Sequence, residues 1–205
     1  MSRMPPRLRR LSARLARRAA AFRADESGSV TVETIIMLPL LVWCFFAIYI
    51  FFDVFRVEAI NTKASYTIGD ALSRETGYVT AGYMGGLFGL QGLLMQTDET
   101  RDLQVTVYSY NATRDRYEVR WSQGIGGLPA LTTTTLNETG VRSRLPVMPQ
   151  GEVAILTRSR VTYHPLYDVG IAPFIFDEYT VTRPRFAPQL CWNSRENGNV
   201  STSTC

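Results

Sequence analysis

The chain has 205 residues, of which 45% are hydrophobic and 20% are charged, enough for one modest domain with accessory segments. Its formal net charge of +4 is concentrated at the N-terminus, where residues 1–28 contain eight arginines and two acidic residues. Acidic side chains slightly outnumber basic ones in the rest of the chain, which argues against a nucleic-acid partner.

An uncharged apolar segment follows the basic N-terminus and extends from Thr34 to Phe52. About 20 helical residues, at about 1.5 Å each, cross a hydrocarbon core of about 30 Å. The segment therefore predicts one transmembrane helix, over residues 29–53. A buried helix of a soluble protein is the alternative, but such helices rarely lack a polar face over this length.

The arginines before this segment predict its orientation. By the positive-inside rule, the basic leader (residues 1–28) is cytoplasmic and the C-terminal domain is periplasmic. We therefore predict a single-pass protein of the bacterial inner membrane.

The junction between leader and apolar segment has an order that is unusual for a secreted protein. Gly28 ends the leader, Ser29 would begin a processed chain, and Glu33 would be its fifth residue. The hydrophobic region thus follows the candidate cleavage site, whereas in secretory signals it precedes that site. This order is typical of class III signals, which prepilin peptidases cut at the cytoplasmic face.

Three residues stand out near or inside the apolar segment. Glu33 is an ionisable group at its edge, where a charge is costly in lipid and usually has a partner. In the plainer interpretation, Glu33 interacts with the helix dipole. Pro39 removes one backbone donor and favours a kink, which membrane helices tolerate. Cys44 is best interpreted as a small apolar residue facing lipid or a neighbouring helix.

The residues after the apolar segment predict two helical regions. From Asp53 to about Ser73, apolar residues recur at helical spacing, which predicts a periplasmic extension of the membrane helix over residues 54–76. Residues 77–97 mix glycines with Leu, Met and Phe but lack a phosphate-loop pattern. They predict a helix with a Gly-rich start; a surface that docks on another subunit or on the membrane is the alternative.

The remaining chain is rich in alternating and β-branched residues, which predicts strands separated by turns. Together with the long helix, these strands predict an α+β fold: a pilin-like N-terminal helix packed on a small antiparallel sheet, within a domain of residues 77–205. The predicted strands are residues 103–110, 116–122, 151–167 and 177–186, with a turn at residues 111–115 and a loop at residues 124–150.

No pattern indicates an enzyme, a cofactor or a metal. His164 is the single histidine, beside Pro165, and no G-x-S-x-G motif or Cys/His ligand spacing is present. A structural or surface role for His164 is therefore favoured. Cys191 and Cys205 can close a loop of about 15 residues, worth up to about 3 kcal/mol. An oxidising periplasm favours this disulfide over a reduced tail.

The stretch from Phe22 to Phe52 resembles the TadE/TadG-like family of pilus-assembly proteins. That pattern is a short basic leader, then G-x-V-x-V-E, then an apolar run with L-P-L-L. The stretch RVTYHPLY near residue 160 and the stretch VTRPRFAPQLCW are similar to later parts of such proteins. The residues that match the N-terminal pattern are Gly28, Val30, Val32, Glu33, Leu38, Pro39, Leu40 and Leu41.

The resemblance implies a minor pseudopilin of the Tad (Flp, type IVb) pilus system, cut by a prepilin peptidase after Gly28. It implies that Glu33 pairs with the freed N-terminal amine of a neighbouring subunit, and that the partners are pilin and pseudopilin subunits and the Tad assembly platform. Thr34 stands where major Flp pilins have an aromatic residue, and a large domain follows. Both departures favour a minor component. The alternative is a membrane-anchored periplasmic binding or scaffold protein that is not processed as a pilin.

Overall fold

The computed structural model of the protein describes residues 16–24, 28–96, 100–167 and 170–205. The chain divides into two compact units, Met1–Tyr49 and Ile50–Cys205. The helical elements are the described part of α1 (residues 16–24), α2 (Gly28–Arg74), α3 (Ala81–Met95), α4 (Thr133–Leu136), α5 (Thr139–Arg142) and a 3-10 helix (Val200–Thr202). The strands are β1 (Tyr78–Val79), β2 (Arg101–Asn111), β3 (Arg116–Ile125), β4 (Val153–Tyr163), β5 (Phe174–Thr182), β6 (Cys191–Asn193) and β7 (Ser203–Thr204).

The first unit contains most of the apolar part of α2. This helix is long and apolar enough to cross a membrane, and only 6% of its most apolar 18-residue window is buried. A core helix of a soluble protein would bury most of such a window. The exposure therefore argues against the soluble alternative and is consistent with a single-pass membrane anchor.

The second unit contains the rest of α2, which ends at Arg74, two residues before the predicted end of the extension. Ala64, Ile68 and Leu72 are each 0% exposed, and their four-residue spacing places them on one face of the helix. Burial of an aliphatic side chain such as Ile68 contributes about 1.5–3 kcal/mol. This face packs on the sheet, so the predicted α+β fold with a long helix on a small antiparallel sheet is confirmed.

The main sheet has the strand order β3-β2-β4-β5, and all its neighbours are antiparallel. Helices α2 and α3 cover one face, and the segment between β3 and β4 covers the other, so β2 is buried on both sides. The core on the helix side includes Ile68, Leu72, Met84, Leu87, Leu103, Val105, Val107, Trp121 and Ile155. The core on the other side includes Tyr108, Tyr117, Leu136, Leu145, Met148 and Leu156.

Helix α3 is the predicted Gly-rich helix. Its N-cap is Thr80, whose hydroxyl accepts a hydrogen bond from the Tyr83 backbone N–H at 3.3 Å. Several of its glycines lie on the open side, where an added Cβ would meet no other atom within 4 Å: Gly85, Gly86 and Gly89. The buried side presents Met84, Leu87, Gln91 and Met95 to the core.

The structure corrects the prediction in three places. Residues 124–150 are not only a loop, because Thr132 and Thr135 form a capping box that starts α4, and α5 follows. Strand β5 begins at Phe174 rather than residue 177, because Phe174 pairs with Tyr163 at the end of β4. A second sheet of order β1-β6-β7 was not predicted; its strands have only two or three residues each.

Candidate functional site

The candidate processing site coincides with the start of a helix. Helix α2 begins at Gly28, and residues 25–27 before it lie outside the described chain. The predicted cleavage between Gly28 and Ser29 would therefore leave a chain that is helical from its first residues onward.

Glu33 lies on the exposed surface of α2, beyond the first turn, which has no acidic residue. The macrodipole acts mainly within the first turn, so this position weakens the plainer interpretation of Glu33 as a helix-end charge. Among the described residues, none forms a hydrogen bond or ion pair with its side chain. The carboxylate is thus available to a group from outside the described part of the chain.

The helix continues through Pro39 without a break. The kink predicted at this residue stays a prediction. Cys44 is exposed and unpaired on the same helix, among apolar side chains that are also exposed. Both residues therefore lie on a surface that can contact lipid or another helix.

The C-terminal residues form a closed loop in the second unit. Cys191 and Cys205, 14 positions apart, are joined by a disulfide with a Cα–Cα distance of 4.4 Å. Inside the loop, the Asn193 side chain donates to the Asn199 carbonyl at 3.1 Å and to the Thr202 hydroxyl at 3.0 Å. The loop is therefore an ordered unit in which β6 and β7 pair.

Glu196 attaches this loop to the N-terminus of α3. Its carboxylate accepts hydrogen bonds from the Thr80 hydroxyl and the Gly82 backbone N–H, both at 2.7 Å. Both hydrogen bonds lower the pKa of Glu196, and the bond from the Thr80 hydroxyl contributes more than the bond from Gly82. On the other side of the loop, the Trp121 indole donates to the Leu190 carbonyl at 2.7 Å. The sequence offered no signal for these long-range contacts.

A buried polar network joins α2, α3 and β4. The Ser159 hydroxyl donates to Asn61 Oδ1 at 2.5 Å and accepts from Gln91 Nε2 at 2.8 Å. Asn61, Gln91 and Ser159 are at most 1% exposed. Because buried polar groups are costly unless paired, this network specifies how the two helices sit on the sheet.

One carboxylate, Asp115, lies beside a surface concavity at the turn between β2 and β3. It accepts a hydrogen bond from the Tyr110 hydroxyl at 2.7 Å and from Arg142 Nη2 at 2.8 Å. The hydrogen bond from Tyr110 makes the largest contribution to lowering the pKa of Asp115, and the Arg142 guanidinium lowers it further. A carboxylate that two donors stabilise in its charged form is a poor general base.

The predicted histidine is exposed and follows the last residue of β4. Within the described ranges, no group of three or more His, Cys, Asp or Glu side chains is arranged to hold a metal ion.

Comparison with known proteins found no relative of this chain. No protein-family model, no curated protein and no solved structure matches the chain.

Proposed function

We propose that this protein is a non-enzymatic minor pseudopilin, which helps to assemble or prime a Tad/Flp type IVb pilus for surface adherence. In this role it is an inner-membrane protein with a cytoplasmic leader and a periplasmic domain. Its partners are the prepilin peptidase, other pilin and pseudopilin subunits and the pilus assembly platform.

The observation that carries the proposal is the position of Glu33. It is the only charged residue between Gly28 and Phe52 and lies on the exposed side of a helix that begins at Gly28. A lone carboxylate beside an apolar helix surface is costly in lipid and usually has a partner. Cleavage after Gly28 creates a positive α-amine on Ser29, four positions before Glu33, and a neighbouring subunit can present this amine to Glu33.

The C-terminal loop supports the proposed compartment. Cys191 and Cys205 are paired in a disulfide, and structural disulfides persist in oxidising compartments such as the bacterial periplasm. A periplasmic domain after a single membrane helix agrees with the arginine excess before the helix.

The first test is the mass of the mature protein, measured from membranes of the native host. We expect a chain that begins at Ser29, and an uncut chain when the prepilin peptidase is deleted. A mature chain that begins at Met1 or Ser2 would contradict pilin-like processing. It would favour the alternative of an anchored binding or scaffold protein.

The second test separates assembly from membrane insertion. We expect Glu33→Gln to abolish pilus formation while the protein still fractionates with membranes, because only the charge is removed. The matched control is Glu58→Gln, which removes an exposed carboxylate from the same helix beyond the apolar segment. Normal piliation in Glu33→Gln would refute the role assigned to this residue.

A further inference from the structure

One hydrogen bond of β4 shows which backbone groups of β5 point away from the sheet. The Thr162 N–H donates to the Thr100 carbonyl at 2.9 Å, so the even-numbered residues of β4 direct their backbone groups toward β2. The odd-numbered residues of β4 then bond to their partners in β5, as Ser159 does to Glu178. The alternate residues of β5 direct their N–H and C=O groups outward: Ile175, Asp177, Tyr179 and Val181.

The opposite edge of the sheet, at β3, is closed by side chains from the two ends of α4. The Asn137 amide accepts from the Tyr117 N–H at 3.0 Å and donates to the Tyr117 carbonyl at 2.7 Å. The Val119 N–H donates to the Thr133 hydroxyl at 3.1 Å. These bonds take the place of a neighbouring strand, so β3 cannot pair with another chain at these residues.

The outer edge of β5 has no such cover. Among the described residues, none accepts a hydrogen bond from the outward N–H groups of Ile175, Asp177, Tyr179 or Val181. The one side chain in the described chain that reaches their carbonyls is Arg144, whose Nη1 is 3.5 Å from the Asp177 oxygen. From residue 175 to residue 181 this edge is about 20 Å long, at about 3.3 Å per residue. A row of unpaired backbone groups of this length is a template for another extended chain.

The face of the sheet away from α2 carries a positive charge beside this edge. Tyr179 packs against the core on that face, and the Arg144 guanidinium lies 4.4 Å from its ring centroid. Arg144 is exposed and forms no ion pair within the described chain. The nearby carboxylate of Asp177 is already held by two hydrogen bonds from Arg158. Arg144 therefore remains available to an acidic side chain of an incoming strand.

The α2 face carries a negative charge at the neighbouring position. The Ser65 hydroxyl of α2 donates to the Thr180 hydroxyl at 2.8 Å, so Glu178, two residues before Thr180, points to the same face. Burial raises the pKa of Glu178, and the nearby charge of Glu58 adds a smaller increase. In the part of the chain that the structure describes, neither carboxylate has an ion-pair partner. A basic side chain opposite Glu178 would relieve the repulsion between the two carboxylates.

We propose that the β5 edge pairs with an extended segment of another protein, which places a basic side chain opposite Glu178 and an adjacent acidic side chain beside Arg144. Successive side chains of a strand alternate between the two faces of a sheet. Two adjacent residues of opposite charge therefore meet both positions at once. In the proposed function, on which this choice of donor rests, the segment belongs to another subunit of the pilus.

The same charges argue against a second copy of β5 as the occupant. Phe174–Thr182 contains no basic residue, so a copy cannot supply the cation that Glu178 lacks. The antiparallel register that uses the whole strand also sets Glu178 opposite Glu178, and like charges directly opposite are destabilising. The charges on β5 thus reject unmatched strands as well as attract a matched one.

The test is photo-crosslinking of the full chain in the native host. Benzoylphenylalanine, a photoreactive amino acid, replaces Ile175 or Tyr179 in separate variants, and the crosslinked peptides are sequenced by mass spectrometry. The control position is Arg120, which is exposed on the closed strand β3. We expect both β5 labels to crosslink to one segment of one protein, at sites about four residues apart because the labels are four residues apart. The label at residue 120 should not reach that segment.

A backbone variant separates strand pairing from side-chain contact. Ile175→Pro removes an outward N–H and spares the bonds to β4, since proline is tolerated where the N–H of an edge strand faces solvent. Ile175→Thr also removes the aliphatic side chain but keeps the N–H. We expect Ile175→Pro to reduce the crosslink from residue 179 about fivefold to tenfold relative to Ile175→Thr, with the same Tm in both. Arg144→Glu should reduce it as well, because it repels the acidic side chain of the partner.

Three results overturn the inference. If the labels at 175 and 179 form no protein adduct, or their adducts map to unrelated positions, no strand pairs with β5. If the adducts map to a second copy of this chain, the edge serves self-association. If Ile175→Pro crosslinks as strongly as Ile175→Thr, side chains make the contact without backbone pairing.

The N-terminus of the crosslinked samples separates this inference from the proposed function. A mature chain that begins at Ser29, together with any of these three results, removes only the pairing at β5. A chain that begins at Met1 or Ser2 contradicts the proposed function, and with it the choice of a pilus subunit as the donor.

Discussion

Removal of one hydroxyl, by Ser159→Ala, is expected to destabilise the domain far more than its size suggests. The substitution deletes the donor to Asn61 Oδ1 and the acceptor for Gln91 Nε2, at a position that is 0% exposed. Asn61 Oδ1 then has no partner in this network. Gln91 Nε2 keeps only its bond to the Asp102 carbonyl, at 3.2 Å.

The magnitude follows from the number of groups left without partners. A buried unsatisfied polar group costs about 1–3 kcal/mol. Asn61 Oδ1 loses its partner in the network, and Gln91 Nε2 loses one of its two acceptors. Together these losses should lower the free energy of unfolding by about 2–4 kcal/mol. For a protein of this size, that loss corresponds to a Tm about 4–16 °C lower.

The assay is thermal and urea unfolding of the full chain in detergent, followed by tryptophan fluorescence in a Trp43→Phe background. The remaining reporters, Trp121 and Trp192, lie in the domain with ring centroids 5.7 Å apart. The control Ser143→Ala makes the same chemical change at an exposed position and should be close to neutral.

If Ser159→Ala lowers the free energy of unfolding by less than about 1 kcal/mol, the effect is no larger than that of an ordinary net hydrogen bond. That result would refute the argument that the substitution leaves buried polar groups without partners. The double variant Asn61→Leu with Ser159→Ala provides a further check. Because it also removes the stranded acceptor, it should lose less stability than the two single variants together.

Two further predictions concern charge and covalent closure. Burial raises the pKa of Glu178 above its ordinary value of 4.5, and the nearby charge of Glu58 adds a smaller increase. Ionisation of Glu178 therefore favours the unfolded chain. The stability of the domain falls as the pH rises through this raised pKa. Glu178→Gln should thus raise the Tm at about pH 7.5 and lose this advantage near about pH 3.5, whereas an advantage that is the same at both values would contradict the sign. The pair Cys191→Ser with Cys205→Ser should lower the free energy of unfolding by up to about 3 kcal/mol in urea titrations, because the unfolded loop gains entropy. Cys44→Ser is its control, and an equal loss in that variant would show that the disulfide is not the cause.

The candidate assembly residues could be found from the sequence because they are neighbours in it. Gly28, Glu33 and Pro39 lie within 12 consecutive residues, and their meaning depends on local order: leader, small residue, carboxylate, apolar helix. The buried stripe at Ala64, Ile68 and Leu72 was visible for the same reason, since a period near 3.6 is a local property of the chain.

The sequence-based predictions were wrong where a local pattern fits more than one secondary structure. The threonines at residues 132–135 look like a featureless loop in the sequence, yet Thr132 and Thr135 cap each other and start α4. Strand β5 was predicted to start too late. Phe174 and Phe176 follow a proline in the sequence, and only their pairing with β4 shows that they already belong to the sheet.

The sequence by itself determined the apolar helix, its amphipathic continuation and the antiparallel strands, because hydrophobic period and β-branched alternation report local structure directly. Only the tertiary structure decided which distant groups meet. It brings Asn61, Gln91 and Ser159 into one network and Glu196 to the start of α3. These contacts join residues up to 116 positions apart. They depend on how the elements pack in three dimensions, which no local pattern encodes.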